Sequence, residues 1–349
     1  MINNPFSLVF GKEPKLMISN SNVFDSIKDI FLSPNPTFTT HLITGVRGSG
    51  KTVLLTRLMN TFDSMEDWIV VELNPETDML ESLASEIFEK SKFKFKFLKK
   101  SLNFSFHGIS ISFTGENPVS SVNVLLEKMF SILSQQNKKV LICVDDVSNN
   151  QNVKTFVQQY QIFLRKNYPV FLLMTGLFEN VRSLQNEKSL TFLYRAPRTD
   201  IGFLSLFNIA DSFEKTLKVT DDIAVELSKL TKGYAFAYQV LGYVMFKENK
   251  KEISMDIINQ FDNYLREYAY EKIYSDLPEG EKKVVLCIAK SEEGNASEIL
   301  ELSSMRKDSF SQYRDRLLKK GIIVKSGWGK VDFALPRFRQ YVLLLQKFN

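Results

Sequence analysis

Residues 45–52 form a glycine-rich stretch whose residue types suit the binding of phosphate groups. Its glycines let the backbone curl so that successive N–H groups point at one anion. Lys51 adds a positive point charge, and the hydroxyl of Thr52 is a ligand of the kind that binds Mg²⁺. The stretch therefore predicts a site for ATP or ADP with Mg²⁺, made by Gly45, Val46, Arg47, Gly48, Ser49, Gly50, Lys51, Thr52 and the following Val53.

Two acidic residues, Asp145 and Asp146, follow the apolar run 140–144. In enzymes with a glycine loop of this kind, the first acid binds Mg²⁺ and the second orients or deprotonates the attacking water. We therefore predict that Asp145 is a metal ligand and that Asp146 is catalytic. The second acid is usually Glu, and the shorter Asp146 predicts slow hydrolysis, as in a switch rather than a motor.

Three further polar side chains are candidates for contact with the γ-phosphate. Thr175 ends the apolar run 170–174, where its hydroxyl could hold the attacking water. Arg195 and Arg198 precede the last predicted strand and could reach phosphate within one chain or across a subunit boundary. The alternatives are a threonine that merely ends a strand and arginines that are simply solvated.

Short β-rich runs alternate with helical patterns in the first part of the chain, which is typical of an α/β fold with a parallel sheet. The predicted strands are 40–44, 68–73, 140–144, 170–174 and, more weakly, 201–204. An insertion near 92–115 has period-two alternation and predicts a hairpin that turns near Gly108. Its Lys/Phe stretch 92–97 suits either nucleic-acid contact or an ordinary strand with one buried face.

We predict three domains: a P-loop ATPase core at 1–205, a helical lid at 206–274 and a winged-helix domain at 275–349. The last domain is predicted from three helical patterns followed by two strand-like runs. Its third helix is expected at 307–320, with Asp308 or Ser309 as the N-cap.

Composition is that of a globular protein, with 349 residues, 44% hydrophobic and 24% charged. The formal charge of +5 is concentrated after residue 300, where the sequence has eleven Lys/Arg and only four Asp/Glu.

The cysteines and the apolar runs indicate the compartment. Cys143 and Cys287 lie in apolar runs, which predicts buried thiols. No apolar run approaches the roughly 18 residues that cross a bilayer, and the beginning of the chain does not resemble a signal peptide. We therefore expect a cytoplasmic protein with no membrane partner.

The glycine loop, the strand before Asp145, the strand that ends at Thr175, the helical lid and the winged helix follow one another along the chain. This order resembles that of AAA+ ATPases of the origin-recognition type and of the related STAND switch ATPases. The chain also resembles a bacterial family of ATP-binding proteins of similar length, with matches at Asn4-Pro5-Phe6, Phe10-Gly11, Gln312-Tyr313-Arg314, Leu317, Gly321-Ile322, Gly329 and the run 331–336. The resemblance implies a sheet ordered 5-1-4-3-2, adenine between the N-terminal segment and the lid, and a lid that reads the nucleotide state. Ala235 replaces the proline of the lid's Gly-x-Pro motif, and residues 234–244 contain no lid arginine.

Two functions follow from these features. In the first, nucleotide state controls the binding of double-stranded DNA by Ser309, Gln312, Arg316 and Lys319 of the third C-terminal helix and by Trp328 and Lys330 of the wing. In the second, the winged helix makes intramolecular contacts or binds an unidentified protein, and ATP drives self-association or release.

Overall fold

A computed structural model describes residues 4–9, 11, 13–18, 21–91, 103–106, 109–112 and 121–348. Phe10, Gly108 and the Lys/Phe stretch 92–97 lie outside these ranges. The chain divides into two compact units, described separately below. The sheet unit comprises Asn22–Thr44 and Leu54–Thr199, and the helical unit comprises Met1–Ser21, Gly45–Val53 and Asp200–Asn349.

The sheet unit contains the predicted parallel sheet, with strand order β2-β5-β6-β1-β7. Numbered along the chain within this sheet, the order is 2-3-4-1-5, which confirms the predicted arrangement read from the opposite edge. The strands are β1 (Thr40–Thr44), β2 (Trp68–Leu73), β5 (Lys139–Val144), β6 (Val170–Gly176) and β7 (Arg198–Asp200), and β3 (Asn103–Phe106) pairs antiparallel with β4 (Ile109–Ser112) outside it. The helices of this part of the chain are α1 (Ser21–Leu32), α2 (Lys51–Asp63), α3 (Met79–Lys90), α4 (Val122–Gln135), α5 (Gln151–Arg165) and α6 (Phe178–Gln185).

The prediction of the last strand at 201–204 is wrong, because β7 spans Arg198–Asp200. The N–H of Leu42 in β1 donates to the carbonyl of Pro197 at 2.9 Å. This bond joins the chain just before β7 to β1, so that β7 rather than the run 201–204 forms the sheet edge. The N–H of Leu204 donates instead to Gly233 O at 2.7 Å, and its side chain packs in the core of the helical unit. Leu204, at the end of the apolar run, therefore packs in a different core from the one that the pattern suggested.

The central strands are buried on both faces, which explains their continuous apolar sequences. On one face, Phe31, Phe62, Trp68 and Phe171 pack ring against ring, with centroids 4.5 Å apart for Phe62 and Trp68. The strands are therefore held by side-chain packing as well as by the parallel hydrogen-bond ladders of β1 with β6, β6 with β5, and β5 with β2.

The helical unit contains α7 (Leu206–Leu217), α8 (Asp221–Thr231), α9 (Ala235–Lys247), α10 (Met255–Leu265), α11 (Glu271–Ser275), α12 (Glu279–Lys290), α13 (Ala296–Ser303), α14 (Lys307–Lys319), the strands β8 (Ile323–Gly327) and β9 (Lys330–Phe333), and α15 (Phe338–Phe348). One apolar core runs through all of these helices. Polar contacts join the same segments: Arg337 binds Asp262 with two hydrogen bonds of 2.6 and 2.8 Å, and Lys232 binds Asp332 at 2.7 Å. The segments predicted as lid and winged helix thus pack together.

The prediction that Asp308 or Ser309 caps the third C-terminal helix is wrong. Helix α14 begins at Lys307 with Arg306 as its N-cap residue, and the N–H of Phe310 donates to Arg306 O at 3.0 Å. Asp308 lies inside the first turn, where its negative charge interacts favourably with the positive end of the helix dipole.

Both cysteines are buried and unoxidised, as their apolar surroundings predict. Among the described residues, none of the helices combines the length and the apolar character needed to cross a membrane.

His41 on β1 predicts a pH-dependent stability. Burial lowers the pKa of its imidazole to about 4, and its Nε2 lies 2.9 Å from Thr199 Oγ1. The unfolded chain takes up a proton near pH 6.5, whereas the folded chain resists it until about pH 4. We expect the free energy of unfolding to fall as the pH drops below about 6.5, by up to about 1.4 kcal/mol per pH unit.

Urea unfolding between pH 7.5 and 5 measures this slope. His41→Gln keeps a polar side chain of similar length and should flatten the curve over this range. An equal slope in the two proteins would show that other groups carry the pH dependence.

Candidate functional site

The glycine loop lies between β1, which ends at Thr44, and α2, which begins at Lys51, as its sequence predicts. Gly48 and Gly50 have φ angles of +76° and +97°, in the region that glycine adopts at little cost. The N–H of Ser49 donates to Val46 O at 3.1 Å and closes a turn. The backbone thus curls immediately before the positive end of a helix, the arrangement that binds anions.

Two side chains of this loop are suited to a phosphate ligand. Lys51 is only 9% exposed, and its ammonium donates to the carbonyls of Gly45 and Val46 at 3.1 Å each. The hydroxyl of Ser49 is buried, and the described residues offer it no hydrogen-bond partner. A buried unsatisfied hydroxyl is costly, and a phosphate oxygen would satisfy it. The residues present therefore fit a phosphate group, with Thr52 half-buried in the first turn of α2.

The residues at the beginning of α9 hold the loop backbone through two of its carbonyl groups. The hydroxyl of Tyr234 donates to Arg47 O at 2.6 Å, and the N–H of Phe236 donates to Gly48 O at 3.2 Å. Burial raises the pKa of Tyr234 well above its usual value, so the phenol stays protonated as a donor. Tyr234 was not predicted as a site residue. Its only signal in the sequence is its position after Gly233, where a helix ends.

The predicted acidic pair lies in the sheet unit, at the carboxyl ends of β5 and β6. The buried hydroxyl of Thr175 donates to a carboxylate oxygen of Asp145 and accepts from the N–H of Asp146 at 3.1 Å. The N–H of Val147 donates to Thr175 O at 2.8 Å. Thr175 therefore fixes the start of the segment after β5.

This contact gives Thr175 a role that the sequence did not predict, and its predicted contact with the attacking water stays a prediction. Its single hydroxyl proton binds Asp145, so the side chain orients the predicted metal ligand. Asp146 is exposed and has a φ of +50°, a left-handed conformation that Asp and Asn adopt more readily than most residues. The shorter acid at this position thus matches the backbone that carries it.

The two candidate arginines lie near the end of the sheet unit, at and just before β7. Arg195 is exposed at the end of a short 3₁₀-helix, Lys188–Arg195. The guanidinium of Arg198 stacks over the ring of Phe178, 4.8 Å from its centroid. Contact of either arginine with phosphate stays a prediction.

The predicted DNA-binding residues divide into two groups. Ser309, Gln312, Arg316 and Lys319 are exposed along one face of α14, whose opposite face buries Phe310 and Leu317. Trp328 is fully exposed in the turn between β8 and β9. Lys330 is instead half-buried and forms an ion pair of 2.7 Å with Glu293.

Two family models match the sequence. Residues 20–176 match the KAP family P-loop domain, a range that contains the glycine loop, Asp145, Asp146 and Thr175. Residues 267–342 match a domain of unknown function, DUF8462. Comparison with curated proteins gave no match.

Several solved structures have a similar fold. A Walker-type ATPase of Pyrococcus abyssi aligns with a TM-score of 0.66 at 14% identity, over 94% of this chain and 96% of that one. The ORC2 protein of Aeropyrum pernix, in ADPNP–ADP complexes, aligns with a TM-score of 0.59 at 12% identity, over 95% and 96%. Cdc6p from Pyrobaculum aerophilum aligns with a TM-score of 0.51 at 15% identity, over 98% and 96%. Together with the strand order, these matches show that the chain has the P-loop NTPase fold.

Proposed function

We propose that this protein is an ATP-binding molecular switch that hydrolyses ATP slowly and couples its nucleotide state to the binding of double-stranded DNA. The observation that carries the nucleotide part is the curled loop 45–52. Its Lys51 is buried, and the buried hydroxyl of Ser49 has no hydrogen-bond partner among the described residues. The match of residues 20–176 to a P-loop domain supports it. So does the similar fold of the ORC2 protein, whose structure holds ADPNP and ADP.

The proposed chemistry assigns a separate task to each side chain. Lys51 and the N–H groups at the beginning of α2 bind the phosphates, and Lys51 gives up its bonds to the loop carbonyls in exchange. Thr52 and Asp145 would hold Mg²⁺, which neutralises charge on the phosphates when it is bound. Thr175 keeps the carboxylate of Asp145 in a fixed orientation through its hydrogen bond.

Asp146 is proposed to orient or deprotonate the attacking water. Its carboxylate is one methylene shorter than that of the usual Glu, and its left-handed backbone limits which side chains fit there. The shorter reach of the carboxylate favours slow turnover. Arg195 or Arg198 is proposed to contact the γ-phosphate, in the same chain or in a second copy, and Arg198 would first leave Phe178.

The DNA part of the proposal rests on the cations that remain exposed in the last 49 residues. Several of the basic residues there bind acids of the same unit: Lys320 binds Glu281, Lys330 binds Glu293, and Arg337 binds Asp262. The exposed ones lie mainly on or beside α14: Arg306, Lys307, Arg316, Lys319 and Lys325. A helix with an exposed basic face and a neighbouring hairpin suits the winged-helix mode, with base and phosphate contacts from the helix.

The alternative proposal is a signalling switch that uses the same region to bind a protein or to self-associate in the ATP state. It is favoured by the fully exposed Trp328, a residue type enriched at protein interfaces. It is also favoured by Lys330, which is paired with Glu293 and so less suited to phosphate. Both proposals place the protein in the cytoplasm.

Removal of the loop cation tests the nucleotide site. Lys51→Ala deletes the point charge for the β- and γ-phosphates and should abolish ATP binding, measured by titration calorimetry with Mg-ATP. Asp146→Asn keeps the size and the tolerance of the left-handed conformation, so it should bind ATP and lose hydrolysis.

Thermal unfolding of both variants without nucleotide is the control for folding. Normal ATP binding by Lys51→Ala would show that the loop assignment is wrong. Phosphate release at the wild-type rate by Asp146→Asn would remove Asp146 from the mechanism.

A salt series tests the DNA site. Binding of duplex DNA should weaken steeply with salt, because each cation that contacts a phosphate releases a counterion. Replacing Arg316 and Lys319 together by Ala should weaken binding and lower the slope of log K against log [salt] by about 2. Fluorescence anisotropy with and without ATP measures both quantities.

The matched control removes the same charge from exposed lid positions, Lys215→Ala with Lys229→Ala. If the two double variants lose equal affinity, only net charge matters and the α14 face is not the contact. If the wild-type protein binds no DNA at low salt in either nucleotide state, the protein-binding alternative is favoured.

A further inference from the structure

The turn that begins α9 holds the glycine loop by two hydrogen bonds, both on the side of the loop that carries its carbonyls. Tyr234 donates its hydroxyl proton to Arg47 O, and Phe236 donates its backbone N–H to Gly48 O. The loop and this turn belong to the same compact unit. The two donors, Tyr234 and Phe236, lie outside the set of residues assigned above to phosphate, metal or water.

The geometry of the peptide group links these bonds to phosphate binding. In a trans peptide the C=O and the following N–H lie in one plane and point in opposite directions. The bond from Tyr234 to Arg47 O therefore directs the N–H of Gly48 away from Tyr234. The next N–H, that of Ser49, closes the turn on Val46. Rotation of the peptide between Arg47 and Gly48 would break the Tyr234 bond.

Close packing reinforces this contact. A Cβ atom at Gly48 would lie 2.2 Å from the hydroxyl oxygen of Tyr234 and 2.9 Å from the ring carbon that carries it. The tyrosine ring thus lies directly against the loop backbone, with no room for a side chain between them. The contact requires glycine at position 48 for space as well as for its φ of +76°.

Tyr234 is itself rigidly placed. Its side chain is 1% exposed, and its N–H donates to Thr231 O at 2.9 Å. The neighbouring Gly233 donates its N–H to Thr231 Oγ1 at 3.1 Å and accepts from Leu204 N–H at 2.7 Å. The backbone of this turn is therefore fixed by its own hydrogen bonds, and it holds the phenol of Tyr234 in place against the loop.

We propose that Tyr234 is a positioning residue for the nucleotide site: its hydroxyl holds the Arg47 carbonyl and keeps the loop in its phosphate-binding conformation. This inference rests on the proposed nucleotide site and goes beyond it. Without the hydroxyl, the loop samples other conformations. The apparent affinity for nucleotide then falls in proportion to the fraction of molecules whose loop keeps the phosphate-binding conformation.

Tyr234→Phe tests the proposal because it keeps the packed ring and removes only the hydrogen bond. The loss of one net hydrogen bond corresponds to about a three- to tenfold increase in Kd. We expect this increase for both ADP and ATP, because the bond holds the loop and touches neither ligand. Titration calorimetry measures the two affinities.

Tyr238→Phe is the matched control. Tyr238 is a buried tyrosine on the same helix whose hydroxyl lies 2.6 Å from Ser212 Oγ. Its removal should leave the affinity within about twofold of wild type. Thermal unfolding without nucleotide should show similar midpoints for the two variants, which separates loop positioning from general stability.

Several outcomes would overturn the proposal. One is unchanged or tighter binding by Tyr234→Phe, which would mean that the bond is neutral or opposes binding. Another is equal weakening in both variants, which would indicate a general effect of burying Phe. If Tyr234→Phe fails to fold, Gly48→Ala displaces the hydroxyl while keeping the tyrosine, and normal nucleotide binding by that variant would also overturn the proposal.

The same titrations separate this inference from the proposed function. A wild-type protein that binds neither ADP nor ATP would refute the nucleotide site itself, and the inference with it. A wild-type protein that binds both, with loss in Lys51→Ala and none in Tyr234→Phe, would leave the function intact and refute only the role of Tyr234.

Discussion

The carbonyl groups of the glycine loop need donors on the side away from its amides, and the arrangement of the helical unit meets this need. Tyr234 and Phe236 bind the carbonyls of Arg47 and Gly48, while Lys51 binds those at the start of the loop. A backbone polar group without a partner costs free energy comparable to a lost hydrogen bond. The turn before α9 is therefore part of the architecture of the loop, although almost 190 residues separate them in sequence.

A second constraint acts in the sheet unit, where one hydroxyl serves two acidic residues. Thr175 lies on β6, and the residues that it binds, Asp145 and Asp146, follow the neighbouring strand β5. The parallel pairing of these strands brings their carboxyl ends to the same edge of the sheet. The orientation of the acidic pair is thus determined by a side chain from another strand, and a change in strand register would separate them.

Charge in the last 49 residues is used in two ways. Lys320, directly after α14, forms a mostly buried ion pair with Glu281 of α12, and Arg337 binds Asp262 of α10. These cations stabilise the packing of the unit and contribute little positive potential to its surface. The positive surface is therefore smaller than the net charge suggests, and it is concentrated around α14, where Arg316 and Lys319 are exposed.

The sequence by itself was sufficient for the parallel sheet, its strand order and the position of the glycine loop. Strong local patterns and the resemblance to known ATPases carry this information, because buried parallel strands need continuous apolar runs and the loop needs its glycines. It was insufficient for β7, because an apolar run at 201–204 does not reveal which of two cores it joins.

Only the tertiary structure revealed that Thr175 binds Asp145 and that Tyr234 holds the loop. Neither contact has a local signal, since a threonine at a strand end and a tyrosine after a glycine are ordinary in any fold. Each is a hydrogen bond between residues distant in sequence, and its existence depends on strand register and helix packing. Local sequence patterns encode the elements, but long-range packing decides which side chains meet.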